Sequence, residues 1–392
     1  MVNNKKKIAV FTGTRAEYGL MYWIIKALNE APNVELQLMV GGMHLSNEFG
    51  YTVSHIEADG FPIMEKLEFL LSSDSTAGVA KSMGLALMSA AEAFARNEPD
   101  LLVVLGDRFE AMAVAQAAMV ARVPIAHLHG GETTEGLIDE AVRHSITKMS
   151  HLHFTSTEQY RDRVIQLGEN PRNVFNTGAP GIDSIVRLPL MTRDELDSEL
   201  CLAPGRPFFV VTYHPVTLIE GGASQALENL LIVMDEYPDH QMVVSYPNAD
   251  MDGRHLIEIL ERYRDSNPDR VLLVESLGQL RYLSALKHCT AVIGNSSSGL
   301  IEAPTFRIPT LNIGDRQKGR IFGETVVSCS ESANSIRKAM EKILSTEFRE
   351  KIQRAENPYG NGDASDKIVN ALLSYPLNNI LEKKFYDLNS KI

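Results

Sequence analysis

Cysteine is scarce in this chain: three in 392 residues, Cys201, Cys289 and Cys329, an odd number with no CxxC spacing. That argues against both a disulfide framework and a zinc site and fits a reducing compartment. No stretch reaches the roughly 18 uninterrupted apolar residues of a membrane span, so no membrane partner is expected. The N-terminal Met1-Val-Asn-Asn-Lys-Lys-Lys7 runs straight into Ile8-Ala-Val-Phe11 without the apolar stretch of a signal peptide, and a cytoplasmic location is expected. Positive charge is not in excess either. With 38 Lys and Arg against 50 Asp and Glu, the formal charge is −12, which gives no sign of general affinity for nucleic acid. Short internal repeats, low-complexity tracts and the dinucleotide fingerprint GxGxxG are also missing.

What is present is an ordinary globular composition, 44% hydrophobic and 22% charged. The length exceeds what one hydrophobic core usually serves, so two domains are expected. Apolar runs at Ile8–Thr12, Val34–Val40, Leu101–Leu105, Val123–Ala126 and Leu152–Thr155 read as strands. Helical patterns alternate with them, notably over Thr76–Arg96 and Phe109–Ala121 and after Gly136. Such alternation implies right-handed βαβ units and a parallel sheet. Regularity lapses over Pro180–Pro204, where a linker is placed. Strands then resume at Phe208–Thr212, Gln241–Ser245, Val271–Val274, Ala291–Ile293 and Thr310–Ile313. The expected fold is α/β: two Rossmann-like domains, residues 1–185 and 186–374, with ligands in a central cleft. A last helix is read at Asp363–Leu373, before a charged tail.

Loops at the carboxyl ends of parallel strands are where α/β proteins place their sites. The densest here runs from His127 to His144, with three histidines, several carboxylates and Arg143. His129-Gly-Gly-Glu132 sets a carboxylate beside two residues without side chains, which lets a substrate approach the backbone. On the following helix Asp139 and Arg143 lie four residues apart, as do Glu140 and His144, so each pair shares a face. Glu140 and His127 read more readily as structural, Glu132, Asp139 and Arg143 as functional. His127, His129, Glu132 and His144 are metal-ligand types, but their spacing matches neither HExxH nor CxxC, and no metal is expected.

Three further strand ends carry chemistry. Gly13-Thr-Arg15-Ala-Glu-Tyr-Gly19 follows the first strand, where the helix it opens would offer free N–H groups to an anion; the plainer reading is a capped helix start with Arg15 at the surface. Gly106-Asp107-Arg108-Phe109 puts a carboxylate and a guanidinium at the mouth of a buried strand, where mutual attraction would keep Asp107 ionised. Gly294-Asn-Ser296-Ser297-Ser-Gly299 places three hydroxyls between glycines at a helix start, a cradle for pyrophosphate, with Glu302 set to accept from ribose hydroxyls. Cations at Arg316, Lys318 and Arg320 follow, and His214 and Asn248 stand at two more strand ends.

These motifs, with Asp139-Glu-Ala-Val-Arg-His-Ser-Ile-Thr-Lys148, His214-Pro-Val-Thr217 and Ile313-Gly-Asp-Arg-Gln-Lys-Gly-Arg320, stand in the order found in the hydrolysing UDP-N-acetylglucosamine 2-epimerases. The chain resembles that family, which opens bacterial sialic acid synthesis and is similar to the epimerase half of the bifunctional animal enzyme. The resemblance implies the glycosyltransferase-B architecture, with a C-terminal helix at about 375–390 returning to the first domain, a homo-oligomer (dimer or tetramer) and no cofactor. It implies hydrolysis of UDP-N-acetylglucosamine to N-acetylmannosamine and UDP, by elimination to a glycal and addition of water. By matching positions Asp107, Glu132 and Asp139 are the acid–base candidates, with Arg108, Arg143 and His214 beside them. Arg15, Asn248, Ser276, Gly294, Ser296, Ser297, Glu302 and Arg316 are the substrate-binding candidates. Where the animal form has a histidine, this chain has Glu275-Ser276. The alternatives are the relative acting on UDP-2,4-diacetamido-2,4,6-trideoxyglucose on the legionaminic acid route, a non-hydrolysing epimerase, a glycosyltransferase of the same fold, and a nucleotide-sugar sensor.

Overall fold

The structure, a computed structural model, describes residues 5–73, 75–135, 138–214, 222–247 and 253–388. The chain divides into two compact units, residues 1–184 with 359–392, and residues 185–358.

The first unit is built on seven parallel strands: β1 (Lys6–Thr12), β2 (Val34–Gly41), β3 (Ile63–Leu67), β4 (Leu101–Leu105), β5 (Ile125–Leu128), β6 (Leu152–Thr155) and β7 (Val174–Asn176). Their order is β3-β2-β1-β4-β5-β6-β7. Strands β1 and β4 are near-continuous apolar runs because both faces of the sheet are covered. Alternation along β1 sends Ile8 and Val10 to a core with Met21, Ile24 and Leu28 of the helix Arg15–Glu30. Ala9 and Phe11 go to the other face, with Ala86, Ala90 and Ala93 of the helix Thr76–Asn97 and Ala113, Val114 and Ala117 of the helix Phe109–Ala121. The order reverses between β1 and β4, so their carboxyl ends form a switch point where side chains from several loops can meet.

The second unit repeats the plan with six parallel strands: β8 (Phe208–Thr212), β9 (Gln241–Ser245), β10 (Val271–Val274), β11 (Ala291–Gly294), β12 (Thr310–Ile313) and β13 (Val326–Cys329), ordered β10-β9-β8-β11-β12-β13. Its switch point lies between β8 and β11. Its core joins Phe209, Val211, Met242, Val244 and Ile293 to Leu230, Leu256, Ile336 and Met340.

Three strands went unread in the sequence, β3, β7 and β13; each is a sheet edge, short or partly exposed. Strand β5 starts two residues later than expected, after Pro124, which has no N–H for the ladder, and it continues through Leu128, so His127 is a strand residue. The boundary expected after residue 374 falls after 358 instead. The helix Ala364–Ser374 buries Ile368, Val369 and Leu372 in the first unit's core, and Asp183 accepts from its Ala364 and Ser365 amides at 3.0 and 2.6 Å. The helix expected at about 375–390 is not found among the described residues: the preceding helix stops at Ser374, because Pro376 disfavours a helical Tyr375, and residues 375–388 are turns and irregular chain. Lys383 fastens this strap by donating to the carbonyls of Lys148 and Ser150 and to Glu169. Among the described residues no helix is long and apolar enough to cross a membrane.

Candidate active site

In the first unit the carboxyl ends of β4 and β5 set Asp107, Glu132 and Asp139 beside two guanidinium groups, those of Arg143 and Arg108. Arg143, 2% exposed, donates to the Glu132 carbonyl at 3.0 Å, to Glu140 Oε2 at 2.9 Å, to Thr134 Oγ1 at 2.9 Å and to Asp107 Oδ2. Two pairings expected from spacing do not form. Arg143 takes Asp107 and Glu140 rather than Asp139, because the loop after β4 reaches across to the helix Ile138–Met149. Arg108 turns from Asp107 to Glu110, Nε to Oε1 at 2.6 Å, and faces Asp139 as well. Burial raises the Asp139 carboxyl above its ordinary range, and Arg108 opposes that only in part. The Glu140–His144 pair does form, at 3.2 Å.

His127 is fully buried and bonds the Gly106 carbonyl at 2.7 Å and Thr147 Oγ1 at 3.1 Å. Burial lowers it to about 3, so it stays neutral, and it fixes the turn that carries Asp107. With both ring nitrogens engaged it cannot share a metal, and among the described residues no three ligand-type side chains converge on one.

The helix start after β1 is closed in part by its own cap. Glu17 turns back to accept from the amides of Gly13 and Thr14, at 2.8 and 3.2 Å, while Thr14 Oγ1 accepts from the Glu17 amide, a capping box. Arg15 is exposed on the first turn. A Cβ at Gly13 would lie 2.8 Å from Glu110 Cγ, so Glu17 and Glu110 meet around this glycine. Burial, then the Glu110 charge, pushes Glu17 up to about 8 from 4.5. A carboxyl raised on folding contributes its stabilisation fully below its unfolded value and loses it as pH rises towards the folded one. Wild type should therefore lose thermal stability between pH 5 and pH 8 relative to Glu17→Gln, whose melting temperature should vary less with pH over that range. Parallel curves would refute the assignment.

In the second unit, Asn295 knits three loops. Its side chain accepts from the His214 amide at 2.7 Å and donates to the His214 carbonyl at 2.8 Å, while its own carbonyl accepts from Arg316 at 3.1 Å and Gln317 at 2.7 Å. His214, Asn295 and Arg316 thus stand together at the ends of β8, β11 and β12. Burial and the neighbouring Arg316 lower His214 to about 4. Gly294, at φ +132, is fixed by packing: a Cβ there would lie 1.9 Å from the Thr212 carbonyl oxygen. The helix expected after Ser297 is a single turn, Ser298–Ile301, because Pro304 follows and the chain continues as a 3-10 turn. Ser296 Oγ accepts from the Ser298 amide at 3.4 Å, and Tyr282 donates to Ser298 Oγ at 2.7 Å. Glu302 is partly buried near Ser298, and burial raises its carboxyl. Ser276 is exposed at the end of β10, where its hydroxyl accepts from the Gly278 amide at 3.2 Å. Asn248 lies outside the described residues.

Sequence reasoning gave no role to Glu17 or Glu110, and weighed His129 only as a metal-ligand type. A Glu three residues after Thr14 is a capping-box signature, so Glu17 was findable; Glu110 meets Gly13 only through tertiary packing, whereas His129 pairs with Glu132 three residues on within one turn.

Two all-parallel α/β units, each with polar residues gathered at a switch point, make this a glycosyltransferase-B-like fold. In solved structures it is matched by the UDP-GlcNAc 2-epimerase of Neisseria meningitidis bound to UDP-GlcNAc, with a TM-score of 0.80 and 22% identity over 94% of this chain and all of that one. The model of the UDP-N-acetylglucosamine 2-epimerase family matches residues 26–373, and the chain belongs to that family. It is 38% identical over 98% of its length to the whole of a Campylobacter jejuni protein named GDP/UDP-N,N'-diacetylbacillosamine 2-epimerase (hydrolyzing). It is also 38% identical, over 98% of both chains, to the Escherichia coli polysialic acid biosynthesis protein P7. The protein is an enzyme, a sugar-nucleotide 2-epimerase in kind.

Proposed function

We propose that the enzyme hydrolyses a UDP-linked 2-acetamido sugar with inversion at C2, releasing the free 2-epimer and UDP. The sugar favoured is 2,4-diacetamido-2,4,6-trideoxyglucose, the diacetylbacillosamine in the name of the Campylobacter relative. UDP-N-acetylglucosamine, which the sequence motifs first suggested, is the second reading, and the likeness to the polysialic acid protein supports it.

The observation that carries the reading is the cluster of Asp107, Glu132 and Asp139 with Arg143 and Arg108 at two neighbouring strand ends. The C2 proton of such a sugar is not acidic and no adjacent ketone stabilises a carbanion. Its loss must be coupled to departure of UDP through an oxocarbenium-like state, which calls for anionic side chains near C1 and groups of different basicity near C2. Asp139, raised by burial, suits the proton donor, and Asp107 the counter-charge. In the second unit His214, Ser296, Ser297 and Arg316, with Gly294 and Glu302, are suited to the nucleotide, and Asn248, Ser276 and Arg15 remain proposed contacts.

Incubating the protein with each UDP-sugar in deuterium oxide and reading the products by NMR tests this. The diacetamido substrate should give the free 2-epimer with one deuterium at C2. Release of N-acetylmannosamine alone would select the second reading, and a free sugar without C2 deuterium would refute the elimination route.

A further inference from the structure

His129 follows β5 with its backbone amide still bonded to the Phe154 carbonyl at 2.9 Å, then turns left-handed at φ +63, a conformation that few residues other than glycine adopt. Non-glycine residues held there cluster at functional sites. The turn is locked from both sides. Gly131, at φ +80, packs so tightly that a Cβ would lie 2.3 Å from the Tyr160 carbonyl oxygen, and Arg163 and Arg143 donate to the carbonyls of Gly131 and Glu132.

Within this turn Glu132 Oε1 lies 2.7 Å from His129 Nδ1 and accepts from the Ser156 hydroxyl at 2.8 Å. A carboxylate takes a proton donor, so the neutral imidazole carries its hydrogen on Nδ1 and presents a lone pair on Nε2. That Nε2 is buried and has no hydrogen-bond partner among the described residues, while 13% of the side chain stays exposed. An orphaned nitrogen on a ring oriented by a carboxylate is the arrangement of a general base with its orienting acid.

We propose that His129 is a catalytic residue, the group that removes the C2 proton through Nε2, and that Glu132 acts through it as a positioning residue. The inference rests on the epimerase reading and assigns one of its steps. An imidazole is about two units more basic than a carboxylate, which favours it for a carbon acid even when oxocarbenium character has weakened the C–H bond. The C1–O bond breaks with its electron pair leaving on UDP, the C2–H pair becomes the C1–C2 double bond, and the proton goes to Nε2. In the second half an acid on the opposite face, for which Asp139 is suited, protonates C2 while the hydroxyl of water adds to C1. The remaining water proton restores that acid, and the imidazolium proton passes to solvent. Among the described residues Glu132 bonds His129, and His127, which stays neutral, lies beside it.

His129→Asn keeps tolerance of the left-handed turn and a donor for Glu132 but removes the lone pair. It should retain its melting temperature and UDP affinity, lose at least about 100-fold in kcat and lose the acidic limb of kcat/KM. Glu132→Gln should keep a limb at displaced pH with a smaller loss. Turnover of His129→Asn within threefold of wild type, or a dead Glu132→Gln beside an active His129→Asn, would overturn the proposal. Failure of the underlying reading would show separately, as no C2 deuterium with the wild-type enzyme.

Discussion

Asp107→Asn should fold, bind UDP as wild type does, and turn over about 10²–10⁴ times more slowly, the range a positioned acid–base or charged group contributes. Asparagine is nearly the same size and still offers an oxygen to Arg143, so the melting temperature should move little; what is lost is the negative charge at the mouth of β4. That charge is needed only when C1 becomes cationic, so the loss should fall on kcat rather than on KM. Steady-state kinetics with either UDP-sugar, beside UDP titration calorimetry, separates these terms. Asp107→Asn activity within tenfold of wild type would remove Asp107 from the proposed chemistry.

Arg143→Met should be the most destructive single change. It leaves Asp107 and Glu140 without their shared cation and the Glu132 carbonyl and Thr134 hydroxyl without a donor, inside a site where the guanidinium itself is 2% exposed. Removing one partner of a buried ion pair costs about 3–5 kcal/mol. Urea unfolding should show that loss, and activity should vanish with it. Arg143→Lys keeps the charge but not the fork, so it should restore stability further than turnover. Equal stability of Arg143→Met and wild type would mean that the network is not holding the loop.

Most central strands were legible because burial on both faces writes them as apolar runs, as in Leu101–Leu105 and Phe208–Thr212. The edges were not: Ile63-Met-Glu-Lys-Leu67 alternates like a surface segment. At the site, residue types could be read but partners could not. Spacing placed Arg143 with Asp139 on one helix face, whereas tertiary packing offered Asp107 from another strand end. The histidines were set aside for want of metal spacing, although the tautomer that makes His129 interesting depends on a carboxylate whose position only the folded loop defines. Glu17 reads in the sequence as part of a helix start, and its contact with Glu110 exists only in the folded unit, where its carboxyl accepts from the Gly13 and Thr14 amides.

The first unit is discontinuous in the chain, and this has a bearing on how the protein is made. Ile368, Val369 and Leu372 leave the ribosome only after the whole second unit has been synthesised, so the face formed by Ile8, Met21 and Ile24 must wait for them. During that interval the nascent first unit exposes the apolar face those residues later cover, which favours association with other chains. A stop codon after Pro358 would make the exposure permanent, turning a late truncation outside the catalytic motifs into an aggregation defect.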